Sequence, residues 1–130
     1  MSNAFGVRFA RIVYILAGII GLLELLPLYF LESMIGRTNP PPITHPDFYY
    51  GFIGVAVAVA WQVAFLVMSL DPLRYRPLMP VTWIEKLLYP VAAWILYFSG
   101  RVSIDTARVA TFDLVWLSLF VVAWVKTRES

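Results

Sequence analysis

The chain has 130 residues, of which 61% are hydrophobic and 14% are charged, and its formal net charge is +2. With a mean hydropathy of +0.78 it is too apolar and too poor in charge for a soluble domain of ordinary composition, and its length supports one domain. It has no cysteine, which excludes disulfides, thiolate metal sites and thiol catalysis, and its Lys and Arg residues form no basic block of the kind that binds nucleic acid.

The first half of the chain contains two apolar stretches long enough to cross a hydrocarbon layer about 30 Å thick as helices. The first covers about residues 7–31, which exceeds the short apolar core of a signal peptide, so we expect it to remain in the mature protein. A polar loop over about residues 32–47 follows, where consecutive prolines exclude a helix. The second stretch covers about residues 48–70, with Asp47 as a predicted N-cap and Asp71-Pro72 as a stop.

The second half of the chain contains two more such stretches. Thr82 and Glu85 have the spacing of a capping box, which predicts a third helix over about residues 82–99. Gly100 is predicted to end that helix, and Ser103 or Asp105 to cap a fourth over about residues 104–125. The predicted fold is all-α, a transmembrane four-helix bundle that forms a single integral membrane domain over residues 1–130.

The distribution of positive charge predicts the orientation of this bundle. By the positive-inside rule, the side with more Lys and Arg faces the cytoplasm, which places both termini there and the proline-rich loop outside. The richer side carries Arg8, Arg11, Arg74, Arg76, Lys86, Lys126 and Arg128, and the other carries Arg37, Arg101 and Arg108.

Three polar residues interrupt the apolar stretches: Glu24, Gln62 and Asp113. An ionisable side chain within a span costs about 2.5–3.5 kcal/mol on insertion scales, so each calls for a partner or a purpose. Their depths predict a ladder of polar positions rather than one compact site. Interhelical hydrogen bonding is the structural interpretation; the functional one is a proton path or a polar anchor in an apolar pocket. A ligand-binding site would be lined by Glu24, Gln62, Trp94, Asp113 and Trp116.

Other conspicuous residues receive structural interpretations. Neighbouring positions on a helix do not face each other, so we expect Glu85 to complete the cap with Thr82, and Lys86 to extend towards the cytoplasmic headgroups. Pro27 and Pro90 each remove a backbone donor, and each is predicted to kink its helix or open a local gap.

His45 is the only histidine, in the loop before the second span. A single imidazole can ligate haem or a chlorophyll magnesium, but its loop position favours capping or loop packing. No cofactor is therefore predicted; a quinone, a lipid or a pigment ligated by His45 remains an alternative.

The chain resembles the DoxX-like group of small four-helix bacterial membrane proteins. The resemblance rests on length, hairpin layout, the glycine-rich start at residues 17–24 and the polar turn before Glu85-Lys86-Leu87. Residues 45–52 with Ala60-Trp61-Gln62 are similar to uncharacterised relatives of that group. The resemblance implies a four-helix bundle in a bacterial cytoplasmic membrane and association with quinone-linked electron-transfer complexes. A remoter similarity to sterol-isomerase-type bundles implies a lipid-like ligand held over intramembrane carboxylates, although no histidine matches their catalytic pattern and no catalytic residue carries over.

Two functional hypotheses follow. The first is a non-catalytic accessory subunit that packs beside a larger respiratory or photosynthetic membrane complex and stabilises it, because small and aromatic helix faces suit lateral packing and the usual enzyme signatures fail. Its partners would be the lipid bilayer and other membrane subunits. The alternative is a binding protein or enzyme for a hydrophobic small molecule, such as a quinone or sterol-like lipid, and an enzyme would have to work through Glu24, Asp113 or Glu85.

Overall fold

A computed structural model of the chain describes residues 4–31, 34 and 54–128. This part of the chain is all-α, with four long helices and no strand. The predicted all-α class is therefore confirmed for the described residues. The helices are α1 (Ala4–Leu25), which continues as a 3₁₀ turn (Leu26–Phe30); α2 (Val55–Leu70); α3 (Met79–Phe98), preceded by a 3₁₀ turn (Arg76–Leu78); and α4, in two segments (Ile104–Thr111 and Asp113–Lys126).

The first helical stretch, Ala4–Phe30, covers nearly all of the predicted first span, but its last turn is 3₁₀ rather than α. Pro27 lies in the first turn of the 3₁₀ segment that replaces the end of α1, as expected for a residue without an N–H donor. Gly54 has non-helical backbone angles (φ −111°, ψ −128°), so α2 begins at Val55 instead of residue 48. The predicted N-cap Asp47 and nearly all of the predicted loop lie outside the described residues.

The predicted capping box at Thr82 and Glu85 is wrong. Helix α3 begins three residues earlier, at Met79, and Pro80 occupies its first turn, where a missing N–H costs nothing. Thr82 therefore lies inside the helix, where it is fully buried and its hydroxyl donates to the Met79 carbonyl. The Thr82 hydroxyl also lies 3.0 Å from the Tyr14 hydroxyl, a hydrogen bond that joins α3 to α1.

The predicted turn between α3 and α4 is confirmed. Gly100 has a φ of +74°, which glycine adopts without strain, and its amide donates to Tyr97 while that of Arg101 donates to Leu96. This pair of bonds is the Schellman motif that ends many helices. Ser103 then caps α4, because its hydroxyl accepts the Thr106 amide.

The helices pack in the order α2, α1, α4 and α3, each against the next. Helix α1 packs against α2 and the second segment of α4, and α3 packs against both segments of α4; α2 and α3 are not among the closely packed pairs of the described part. At the centre, the Tyr14 and Phe120 rings stack 4.4 Å apart at an angle of 5°, and the Phe65 ring meets Phe120 edge-on at 5.1 Å. This core joins α1, α2 and α4 and leaves a space between α2 and α3.

Two helical stretches are long and apolar enough to cross a membrane, Ala4–Phe30 and Ile104–Lys126. Only 22% and 17% of the residues in their most apolar windows are buried within the protein. Such low burial differs from the core helix of a soluble protein, whose apolar residues are mostly inside. Length and composition alone carry this assignment.

Arg76 joins the turn before α3 to the end of α4. Its guanidinium donates from Nε to the Thr127 hydroxyl (3.1 Å) and from Nη2 to the Trp124 carbonyl (2.9 Å). It also lies 3.6 Å above the centre of the Trp124 ring. The planar fork of arginine makes these contacts together, which the ammonium of lysine cannot do.

Replacement of Arg76 by Lys is expected to lower the free energy of unfolding by about 1–3 kcal/mol, because the hydrogen bonds to Trp124 and Thr127 would not both be retained. Denaturant unfolding of the purified protein measures the change. Arg74→Lys is the matched control, since Arg74 is exposed in the same turn. Equal losses in both variants would contradict the assigned role of Arg76.

Candidate ligand-binding cavity

A cavity of about 600 Å³ lies in the space between α2 and α3. Its rim includes exposed apolar side chains of α2 and α3, and its polar lining comes from all four helices. The apolar rim residues are Val57, Val81, Ile84 and Leu88, and the polar lining residues are Glu24, Gln62, Glu85, Lys86, Tyr89 and Asp113.

Lys86 is the centre of the polar lining. Its ammonium nitrogen lies 3.7 Å from Glu85 Oε2 and 3.8 Å from Asp113 Oδ1, and the Lys86 side chain is only 7% exposed. The same nitrogen lies 5.2 Å from the centre of the Phe65 ring, within the range of a cation–π contact. One ammonium group therefore connects α3 with α4 and touches α2.

The expectation that Lys86 extends to the headgroups is wrong, and so is the expectation that Glu85 and Lys86 do not meet. Because α3 begins at Met79, Lys86 lies seven residues, about 10 Å, along the helix. At that depth its flexible stem turns inward towards the carboxylates, and its tip reaches Glu85 although the two positions are adjacent.

A break in α4 positions Asp113. The helix is interrupted at Phe112, whose amide donates to the Val109 carbonyl in a tightened turn, and Asp113 begins the second segment. A carboxylate at the first position of a helical segment is favoured by the free N–H groups there. Asp113 thus gains support from the backbone as well as from Lys86.

Gln62 and Gly21 form one of the close contacts between α1 and α2, in the lining of the cavity. Gln62 is only 2% exposed, and its amide nitrogen donates to the Ala58 carbonyl at 2.9 Å. Its Oε1 has no hydrogen-bond partner among the described residues. A Cβ on Gly21 would lie 1.9 Å from this oxygen, so only glycine leaves room for the Gln62 side chain here.

Three of the five residues predicted to bind a ligand line this one cavity: Glu24, Gln62 and Asp113. They share a site rather than forming the ladder predicted from their depths. Glu24 is exposed, and none of the ion pairs in the described part includes it.

Trp94 and Trp116 do not line the cavity. The Trp94 indole donates to the Thr111 hydroxyl at 2.9 Å, which joins α3 to the first segment of α4. Trp116 packs beside the core, with its ring 6.5 Å from that of Phe120. Pro90 is buried one turn after Lys86 in a helix that continues through it, and His45 lies outside the described residues.

Lys86 and Tyr89 also line the cavity but were not among the predicted site residues, and Glu85 was predicted only as a residue through which an enzyme could work. The available signal was an ammonium and two carboxylates, Glu85 and Asp113, in neighbouring apolar stretches, since charges in such stretches usually pair with one another.

Comparison of the chain with models of known protein families, with curated proteins and with solved structures gives no match. The cavity is therefore interpreted from its own geometry.

Replacement of Lys86 by Met is expected to lower the free energy of unfolding by about 2–3 kcal/mol, because Glu85 and Asp113, whose side chains are only 17% and 21% exposed, would be left without a cation. The double variant Lys86→Met/Asp113→Asn should recover part of this loss. Both are measured by denaturant unfolding of the purified protein.

The control for this prediction is Arg108→Met, which breaks an ion pair with Asp105 whose side chains are 71% and 84% exposed. It should cost less than about 1 kcal/mol. If Lys86→Met were no more costly than this control, the buried ion cluster would not contribute to stability as described.

Proposed function

We propose that the chain is an integral membrane protein that binds a hydrophobic small molecule in the cavity between α2 and α3. The observation that carries the proposal is the construction of the cavity: a polar floor that includes an unpartnered amide oxygen, behind a rim of exposed apolar side chains. Pockets of this kind hold the apolar body of a ligand against the rim and orient its polar group at the floor.

The outer surface supports membrane insertion. Large apolar side chains are exposed on all four helices, among them Leu23 (70%), Leu88 (61%) and Val109 (58%). Exposed apolar surface is unfavourable in water, and a single protein partner would cover one face rather than every helix. Lipid covers all of them at once.

The distribution of charge supports the orientation proposed for the bundle. When the four helices alternate in direction, most of their positive charges lie on one side. These are Arg8 and Arg11 near the start of α1, Arg74 and Arg76 in the turn after α2, and Lys126 at the end of α4. The positive-inside rule favours the cytoplasm for that side and hence for both termini.

The rim of the cavity suggests a route of entry from the bilayer. Ile84 and Leu88 lie one turn apart on α3, are 56% and 61% exposed, and border the cavity. A lipid-soluble molecule can reach the polar floor past such side chains without crossing water. Quinones and sterol-like lipids share the required combination of an apolar body and one polar end.

The binding proposal takes precedence over the accessory-subunit hypothesis because it has a specific site. The exposed apolar faces suit lipid as well as a neighbouring protein, so the accessory role and the resemblance to DoxX-like proteins stay predictions. An enzymatic role would need a reacting group held against the carboxylates, and binding alone accounts for the features of the cavity.

Glu24→Gln combined with Asp113→Asn is expected to abolish retention of the bound molecule, because both carboxylates line the cavity and orient its polar group. The measurement is mass spectrometry of organic extracts from protein purified in mild detergent. Wild-type protein should carry a compound that the double variant lacks, at equal recovery and with a retained helical circular dichroism spectrum.

The matched control is Asp105→Asn, which removes a carboxylate at the exposed start of α4. It should retain the compound like wild-type protein. Identical extracts from wild-type protein and the double variant would contradict the proposed function.

A further inference from the structure

The charges that line the cavity do not balance. Three carboxylates, Glu24, Glu85 and Asp113, share the lining with one ammonium group, Lys86. Lys86 contacts two of the carboxylates, and Glu24 takes part in none of the ion pairs of the described part. With all groups ionised, the lining carries two negative charges in excess, which apolar surroundings penalise unless carboxyl groups take up protons or a cation binds.

The hydrogen-bonding groups show the same imbalance. Gln62 Oε1 is a buried acceptor without a hydrogen-bond partner among the described residues, whereas Glu85 Oε2, which also accepts no hydrogen bond there, lies 3.7 Å from the Lys86 ammonium. Buried polar atoms nearly always have a partner, so the Gln62 oxygen indicates a missing donor. Its side chain is almost fully buried, and its amide nitrogen is already bonded.

We infer that the cavity takes a cationic amphiphile: an apolar body whose protonated amine binds among Glu24, Asp113 and the Gln62 oxygen. This inference rests on the proposed function and specifies the class of ligand. An ammonium group supplies both the missing positive charge and several N–H donors, whereas a hydroxyl supplies one donor and no charge. A metal ion fits less well, since no group of three or more acidic or histidine side chains in the described part is arranged to hold one.

The test compares two molecules that differ only in their polar end, dodecylamine and dodecanol. The protein is reconstituted in nanodiscs of zwitterionic lipid, loaded with radiolabelled dodecylamine, and challenged with either unlabelled compound; empty nanodiscs give the background. The amine is expected to displace the label at a concentration about tenfold or more below that of the alcohol, a preference equivalent to about 1.4 kcal/mol.

Glu24→Gln removes one carboxylate from an exposed position and should leave the fold intact. It is expected to weaken the binding of dodecylamine about tenfold, the effect of about 1.4 kcal/mol of lost attraction. The concentration of dodecanol needed to displace the label should change much less than the concentration of dodecylamine. Asp105→Asn, outside the cavity, should behave as wild type.

Equal displacement by the alcohol and the amine would overturn the inference of a cation and leave the hydrophobic binding site standing. Retention no greater than in empty nanodiscs, together with identical organic extracts from wild-type protein and the Glu24→Gln/Asp113→Asn variant, would overturn both. Unchanged amine retention in Glu24→Gln would also contradict the role given to that carboxylate.

Discussion

The buried ammonium of Lys86, held between two carboxylates, is the interaction on which the site depends. Each of the four helices has exposed apolar side chains, among them Leu23, Val57, Leu88 and Val109, and hydrocarbon around them would leave no favourable place for an unpaired charge in the middle of a helix. Lys86 shows the consequence most clearly: its ammonium lies between Glu85 and Asp113, with the Phe65 ring on the α2 side. The direction of this one side chain couples α3 to α4 and places charge at the floor of the cavity.

The cavity itself results from uneven packing. The ring contacts of Tyr14, Phe65 and Phe120 hold α1, α2 and α4 together, while the Tyr14–Thr82 hydrogen bond attaches α3 through its first turns. Because α2 and α3 are not in close contact, space remains between them, and the absence of a side chain on Gly21 leaves room for Gln62 in its lining. Helix packing therefore creates the cavity, and the charged side chains that line it determine which groups it can bind.

The sequence predicts those features that depend on local backbone chemistry. The left-handed stop at Gly100 and the hydroxyl cap at Ser103 are confirmed, since each depends on the conformational freedom or hydrogen bonding of one residue. The start of α3 was missed because the Thr82–Glu85 spacing competes with a stronger helix-start signal, Pro80 in the first turn. Local sequence patterns therefore predicted which segments are helical more accurately than they predicted the residues at which the helices start.

Side-chain direction was predictable only in part. Glu24, Gln62 and Asp113 interrupt apolar runs, which indicated that each has a partner or a purpose, and all three line the cavity although Glu24 is exposed. Lys86 lies near a predicted helix start, where a headgroup contact is equally plausible, and only the packing of α3 against α4 decides between the two. Trp94 and Trp116 were predicted to line the site, yet the Trp94 indole donates to Thr111 and the Trp116 ring packs near Phe120.

Collision rates of spin labels test most directly whether lipid surrounds this bundle. Because the chain has no cysteine, single labels can be introduced cleanly at Val91 and Val115, which are exposed on α3 and α4, and at Ala93, which is buried on α3. In lipid vesicles, labels at Val91 and Val115 should collide frequently with dissolved oxygen and rarely with a water-soluble nickel chelate, and the label at Ala93 rarely with either. Frequent nickel collisions at Val91 and Val115 would contradict the account.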